Sequence, residues 1–173
     1  MTTSIFTKIA APIAALALAG SLFAAMAPSA GAAFYPAMSP PEYQFLAMLN
    51  GDRAANGEGP LVANGTLSGL ARQRSQSMAA GTPFSHYDGA GNLIFAGLLN
   101  SAAFPYSFAG ENIAENNYPD LGQSLGVANT GFMNSAGHRA NILNSRFNEV
   151  GIGIAGPDGN GRFYYTQMFA QAR

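Results

Sequence analysis

Residues 149–171 read EVGIGIAGPDGNGRFYYTQMFAQ and decide the fold of this chain. Residues 149–155 alternate small and β-branched side chains, and residues 162–171 alternate again, as strands with two different faces do. PDGNG (157–161) lies between them, and Pro, Asp, Asn and Gly are the residues that tight turns use. The pattern predicts a β-hairpin and therefore a small antiparallel sheet.

The segments before the hairpin have mainly helical patterns. In residues 36–59, Ser39 and Glu42 form a capping box around Pro40, and Gly57 supplies a stop. Further helices are predicted in residues 64–81, with Asn64 as the cap, in the apolar stretch 93–99 and in 121–133, while GENIAEN (110–116) indicates a brief strand. Helices on both sides of a small antiparallel sheet predict an α+β fold, a three-layer α-β-α sandwich.

The first thirty-two residues are expected to be a cleaved secretory signal peptide. Lys8 is followed by an almost uniformly apolar run, residues 9–27, and then by Ala30-Gly31-Ala32, which fits the small-residue cleavage rule. A membrane span is the alternative, because the run is just long enough to cross a bilayer. We favour the signal peptide, since the run is mostly alanine, contains Pro12 and lacks a stop-transfer charge cluster. Residues 33–41 would form a short N-terminal extension and residues 42–173 a single domain.

The composition excludes several classes of function. After cleavage the chain keeps seven arginines against nine acidic residues, a net charge of −2, and no basic stripe for nucleic acid or an anionic membrane surface. The chain contains no cysteine, so disulfides, thiol nucleophiles and thiolate metal sites are excluded. We expect a secreted or cell-envelope protein that is monomeric, without stable membrane insertion after cleavage.

Four polar residues are candidates for chemistry: His86 in FSH, Glu111 in GEN, and Ser135 and His138 in SAGHR. Each also has a structural interpretation. Ser135 could be the N-cap of a short helix, Glu111 the partner of an arginine, and His86 a half-buried core histidine. Spacing alone does not decide whether the four residues converge.

The order of the sequence motifs along the chain indicates that the four residues converge. The chain resembles the CAP superfamily (cysteine-rich secretory, antigen 5 and pathogenesis-related class 1 proteins), and within it the disulfide-free bacterial branch. The resemblance covers about residues 42–170 and rests on seven motifs in the expected order: LNGDRAANGEGPL, LARQRS, FSH, GENIAEN, FMNSAGHRANILN, FNEVGIGI and YYTQMFA.

The resemblance implies an α-β-α sandwich whose cleft is lined by a tetrad of two histidines and two acids. The histidines correspond to His86 and His138 and the first acid to Glu111, while the second acid position is Ser135, as in many bacterial members. Phe132 stands where relatives often carry tryptophan. The loop that some fungal relatives use for sterol has no identifiable counterpart.

Two functions follow from this set of residues. His86 and His138, with Glu111 as a further ligand, could hold a divalent metal, zinc first. The interpretation we favour is a non-enzymatic binding module for a metal and a lipid or other small apolar ligand, or for a cell-envelope or host protein. The alternative is a metal-dependent hydrolase, a peptidase or esterase that uses the same cleft. The residues offer it no second carboxylate as a general base and no nucleophile with an adjacent base.

Overall fold

The computed structural model describes residues 37–173, all of which belong to one compact unit. The predicted signal peptide, residues 1–32, and the start of the predicted extension lie outside the described residues. The helices are α1 (Pro40–Ala55), α2 (Gly65–Ala79), α3 (Ile94–Ser101), α4 (Leu121–Asn134) and α5 (Ala136–Ile142). The strands are β1 (Val62–Ala63), β2 (Tyr106–Asn116), β3 (Glu149–Ala155) and β4 (Phe163–Ala172).

The predicted caps of α1 and α2 are confirmed. The carboxylate of Glu42 accepts the backbone N–H of Ser39 at 2.6 Å, which completes the capping box at the start of α1. The side chain of Asn64 accepts the N–H of Leu67 at 3.1 Å at the start of α2. These caps satisfy N–H groups that a helix leaves without partners in its first turn.

The predicted hairpin forms the centre of the sheet. The strand order is β1-β3-β4-β2, with β3–β4 and β4–β2 antiparallel. β2 is longer than the brief strand predicted from GENIAEN, and it pairs with β4 along almost its whole length. The two-residue strand β1 joins β3 in parallel, so the sheet is antiparallel except at this short edge.

Helices cover both faces of the sheet, which confirms the three-layer sandwich. α1, α4 and α5 pack on one face through residues such as Phe45, Phe132 and Ile142, all of them fully or almost fully buried. α2 and α3 pack on the other face through Leu67, Ala71, Phe95 and Leu99. Burial of these apolar side chains is the main stabilising contribution to such a fold.

Successive side chains of the hairpin strands point to opposite faces of the sheet and therefore pack against both helical layers. In β4, Tyr165 and Phe169 face α1 and α4, while Met168 and Ala170 face α2 and α3. In β3, the glycines at 151 and 153 lie under α2: a Cβ on Gly151 would stand 2.1 Å from the backbone of Leu67, and one on Gly153 2.1 Å from that of Ala71. The small residues of EVGIGIA therefore allow α2 to approach the strand at backbone contact distance.

Within residues 37–173, no helix is both long and apolar enough to span a bilayer.

The close packing of α2 on β3 can be tested by adding a methyl group. Gly153→Ala should lower the free energy of unfolding by about 1–3 kcal/mol or more, because the new Cβ meets helix backbone that cannot rotate away. Gly97→Ala in α3 is the control: its Cβ meets nothing within 4 Å, and helix propensity favours alanine by about 0.5–1 kcal/mol. Denaturant melts of both variants check this, and equal stability of the two would contradict the packing described.

Candidate functional site

Three of the four predicted site residues, His86, Glu111 and His138, lie around β2, the last strand in the sheet order. Glu111 and Asn112 follow each other in this strand, so their side chains point to opposite faces of the sheet. Glu111 lies opposite Met168 in the register and faces the α2 layer, whereas Asn112 lies opposite Gln167 and faces the α5 layer. Each of the two residues contacts one of the chain's two histidines.

His86 lies in the loop between α2 and α3, and its ring is about one-third exposed. Its Nδ1 is 2.9 Å from Oε2 of Glu111. Its carbonyl accepts the N–H of Ile94 at 2.9 Å, which ties the loop to the start of α3. One ring nitrogen is thereby engaged by the carboxylate, and Nε2 has no partner among the described residues.

Glu111 is fully buried, and both of its carboxylate oxygens are engaged. Oε2 contacts His86, and Oε1 accepts a hydrogen bond from Nε of Arg74 at 3.1 Å. Arg74 is itself buried, with 2% of its side chain exposed, so the two form an ion pair inside the protein. A buried carboxylate needs such a partner, because removal of a charge from water is costly.

His138 belongs to the first turn of α5 and reaches the same edge of the sheet from the opposite layer. Its ring centroid is 6.5 Å from that of His86, with the planes inclined by 59°. The ring of Phe132 contacts it edge to face, with the two centroids 5.0 Å apart. Burial, and secondarily the nearby His86, lower the pKa of His138 below its ordinary value and favour the neutral imidazole.

Ser135 occupies the predicted N-cap position of α5, but its side chain makes no cap hydrogen bond. The capping contacts are made by its backbone: the carbonyl accepts the N–H of Arg139 at 2.8 Å, and the N–H donates to carbonyls in the last turn of α4. The prediction of the cap was therefore right about the position and wrong about the hydroxyl. The structure brings His86, Glu111 and His138 together at one edge of the sheet and leaves the Ser135 hydroxyl outside their contacts.

The two imidazoles are the donor groups of this site that a metal ion could use. Residues 37–173 contain no group of three or more histidine, aspartate or glutamate side chains placed to hold an ion. The predicted third ligand, Glu111, already uses both oxygens. Zinc accepts imidazole nitrogens as ligands, and the ring centroids of the two histidines lie 6.5 Å apart.

Two residues of the site received no role from the sequence. Asn112 donates through Nδ2 to the carbonyl of His138 at 3.1 Å and to Oε1 of Gln167 at 3.0 Å. Arg74 binds Glu111. The sequence did contain a signal that Arg74 is buried and paired. Arg74 falls on the apolar stripe of α2 that carries Leu67, Ala71 and Met78. A charged side chain on a buried stripe requires a partner.

The comparisons with known proteins agree with this architecture. The profile of the Cysteine-rich secretory protein family, CAP, matches residues 46–169, and the chain belongs to this family. The Bacillus subtilis protein YkwD is 34% identical over 112 residues, which cover 65% of this chain and 41% of YkwD.

Two solved structures show the same fold. An extracellular protein of Bacillus anthracis that contains an SCP domain is 26% identical, with a TM-score of 0.63 over 79% of this chain and 45% of that one. An outer surface protein of Borrelia burgdorferi is 12% identical, with a TM-score of 0.65 over 80% of this chain and 97% of that one. The chain thus corresponds to less than half of YkwD and of the B. anthracis protein.

The role of the Ser135 hydroxyl can be separated from that of a true cap. Ser135→Ala should change the free energy of unfolding little, because the hydroxyl makes no cap hydrogen bond. Asn64→Ala, which removes a side-chain cap, should cost about 0.5–2 kcal/mol. Denaturant melts of both variants measure the difference. A loss at Ser135 equal to that at Asn64 would show that the hydroxyl caps α5 after all.

His138 should make the stability of the protein depend on pH. Its pKa in the folded chain lies below the ordinary 6.5, so the unfolded chain binds the proton more readily. Stability from this group is complete above about pH 6.5 and declines as the pH falls toward the folded pKa. His138→Asn should therefore lose less stability than the wild type between about pH 8 and about pH 5 in denaturant melts. An equal loss in the two proteins would contradict the shift.

Proposed function

We propose that this chain is a secreted, non-enzymatic binding module that holds a divalent metal ion, zinc first, between His86 and His138. The single observation that carries the proposal is the approach of the chain's only two histidine rings to 6.5 Å, from opposite layers of the sandwich. The two residues are far apart in the sequence, and they come close because both lie at the edge of β2.

Each ring is prepared for this role in a different way. A ligand imidazole must be neutral, and the lowered pKa of His138 favours that form. His86 contacts Glu111 through Nδ1, the arrangement in which a carboxylate fixes the ring of a zinc-binding histidine. Nε2 is then the nitrogen of His86 that is free to bind the ion.

The state of Glu111 favours binding over hydrolysis. A bound zinc ion lowers the pKa of a coordinated water and so supplies a nucleophile. A hydrolase also needs a base to move protons, and both oxygens of Glu111 are occupied by Arg74 and His86. The metal-dependent peptidase or esterase is therefore the second candidate, and wild-type turnover that depends on the metal and on Glu111 would favour it.

Other proteins of this fold support the metal and the location. NaASP2, which is 14% identical to this chain with a TM-score of 0.56, was solved with Zn²⁺. The related B. anthracis protein is extracellular. Secretion of this chain, guided by the predicted signal peptide, is part of the proposal, as are a cell-envelope or host protein as partner and a monomeric state.

An apolar ligand is the second part of the proposal. A shallow surface depression lies along the exposed side of α4. Its described lining comprises Gln123, Gly126, Val127, Thr130, Gly131 and Asn134. The mixture of small, apolar and amide side chains suits a lipid or another small molecule with few charges.

Zinc titration of the tag-free protein tests the metal site. The wild type should bind one ion per chain by calorimetry at neutral pH, and more weakly near pH 5 because protons compete with the ion for the imidazole nitrogens. His86→Ala and His138→Ala should each weaken binding by about tenfold or more. Ser135→Ala, a tetrad residue outside the proposed ligand pair, is the matched control and should bind as the wild type does. Unchanged affinity in the double histidine variant would rule out this site.

A further inference from the structure

Arg74 connects two parts of the site that no backbone contact joins. Its Nε donates to Oε1 of Glu111 at 3.1 Å, and its Nη2 donates to the carbonyl of Ser85, the residue directly before His86. Both partners contribute to the orientation of the His86 ring. The carboxylate contacts the ring, and the carbonyl belongs to the loop that carries His86. The guanidinium lies behind them, almost completely buried.

We infer that Arg74 is the positioning residue of His86: it fixes which nitrogen of the ring carries the proton and which keeps a free lone pair. The inference deepens the proposed function, on which it rests, since the nitrogen concerned is the proposed metal ligand. Arg74 itself touches neither ring, and it acts through Glu111 and the loop.

The chemistry of the three groups leads to one tautomer. Arginine is always a cation in proteins, and a carboxylate paired with it is only a hydrogen-bond acceptor. Because Oε2 of Glu111 is 2.9 Å from Nδ1 of His86, the proton of a neutral imidazole belongs on Nδ1. The lone pair then lies on Nε2, as a metal ligand requires.

Lysine cannot replace Arg74 in this role. The guanidinium has donors fixed in one plane and at set angles, so it contacts the carboxylate and the carbonyl together. An ammonium group keeps the charge, but its donors all lie on one nitrogen and are not fixed in direction, and it is more strongly hydrated. The inference therefore distinguishes the geometry of arginine from its charge.

Nitrogen-15 NMR of the metal-free protein, recorded with chelator at about pH 8, where free imidazole is neutral, tests the inference. The wild type should show His86 with its proton on Nδ1. Arg74→Lys and Arg74→Met should both lose this single tautomer, and zinc affinity should fall by about 10–100-fold, the range for loss of a group that orients a metal ligand.

Ser75→Ala is the matched control. Ser75 is the next residue of α2, is fully buried, and donates to the carbonyl of Gly153 without contact to the site. It should lose stability, yet keep the tautomer and its zinc affinity within about twofold, because its partners are separate. A role of Arg74 in folding alone would make the Arg74 variants behave like this control.

The result that overturns the inference is an unchanged Nδ1–H tautomer in the folded Arg74 variants. A proton found on Nε2 in the wild type would overturn it as well, because the carboxylate that Arg74 binds would then not set the tautomer. The tautomer is measured without metal. A wild type that binds no zinc would therefore defeat the proposed function and leave this measurement valid.

Discussion

The alternation of side chains along one strand determines how this site is built. β2 has a histidine-bearing segment on either side: the loop after α2 on one face of the sheet and α5 on the other. Because Glu111 and Asn112 are consecutive, one reaches His86 and the other the backbone of His138. A shift of the strand by one residue would exchange the two faces and lose both contacts. The register of β2 on β4, which pairs Glu111 with Met168 and Asn112 with Gln167, is thus the condition for both histidine contacts.

Polar groups inside the sandwich hold this arrangement at an energetic cost. The Arg74–Glu111 pair is buried between α2 and the sheet, and a buried ion pair of this kind is often no more stabilising than apolar residues of the same size. Removal of one partner is different, since it leaves the other charge without compensation and typically costs about 3–5 kcal/mol. On the other face, Asn141 donates to Oδ1 of Asn112 at 2.9 Å and ties α5 to the strand. Both sets of contacts fix directions of side chains, which a metal site needs and an apolar core does not supply.

Local patterns in the sequence predicted most of the fold. The hairpin, the caps at Ser39 and Asn64 and the helical periods depend on neighbours in the chain, and all of them are present in the structure. The short parallel strand β1 was not predicted, because two residues carry no period. The length of β2 was underestimated, since its first residues extend the strand through their pairing with β4 rather than through a pattern of their own.

The candidate site was predicted only through the order of motifs. His86, Glu111 and His138 are far apart in sequence, and the resemblance to the CAP family assigned them to one cleft; in the structure they lie at the same edge of the sheet. Arg74 and Asn112 could not be assigned, because their roles depend on the register of β2 and on the approach of α2 to it. Whether the hydroxyl of Ser135 caps α5 depends on the rotamer of the side chain, which the sequence does not specify.

X-ray absorption at the zinc edge of the loaded protein tests the central claim most directly, because it reports the atoms around the ion. The account predicts two imidazole nitrogens at about 2.0–2.1 Å, with light oxygen donors in the remaining positions, and the loss of one imidazole in each single-histidine variant. A first shell of oxygen atoms without imidazole scattering in the wild type would contradict it, since the two histidines that β2 brings together would then not hold the ion.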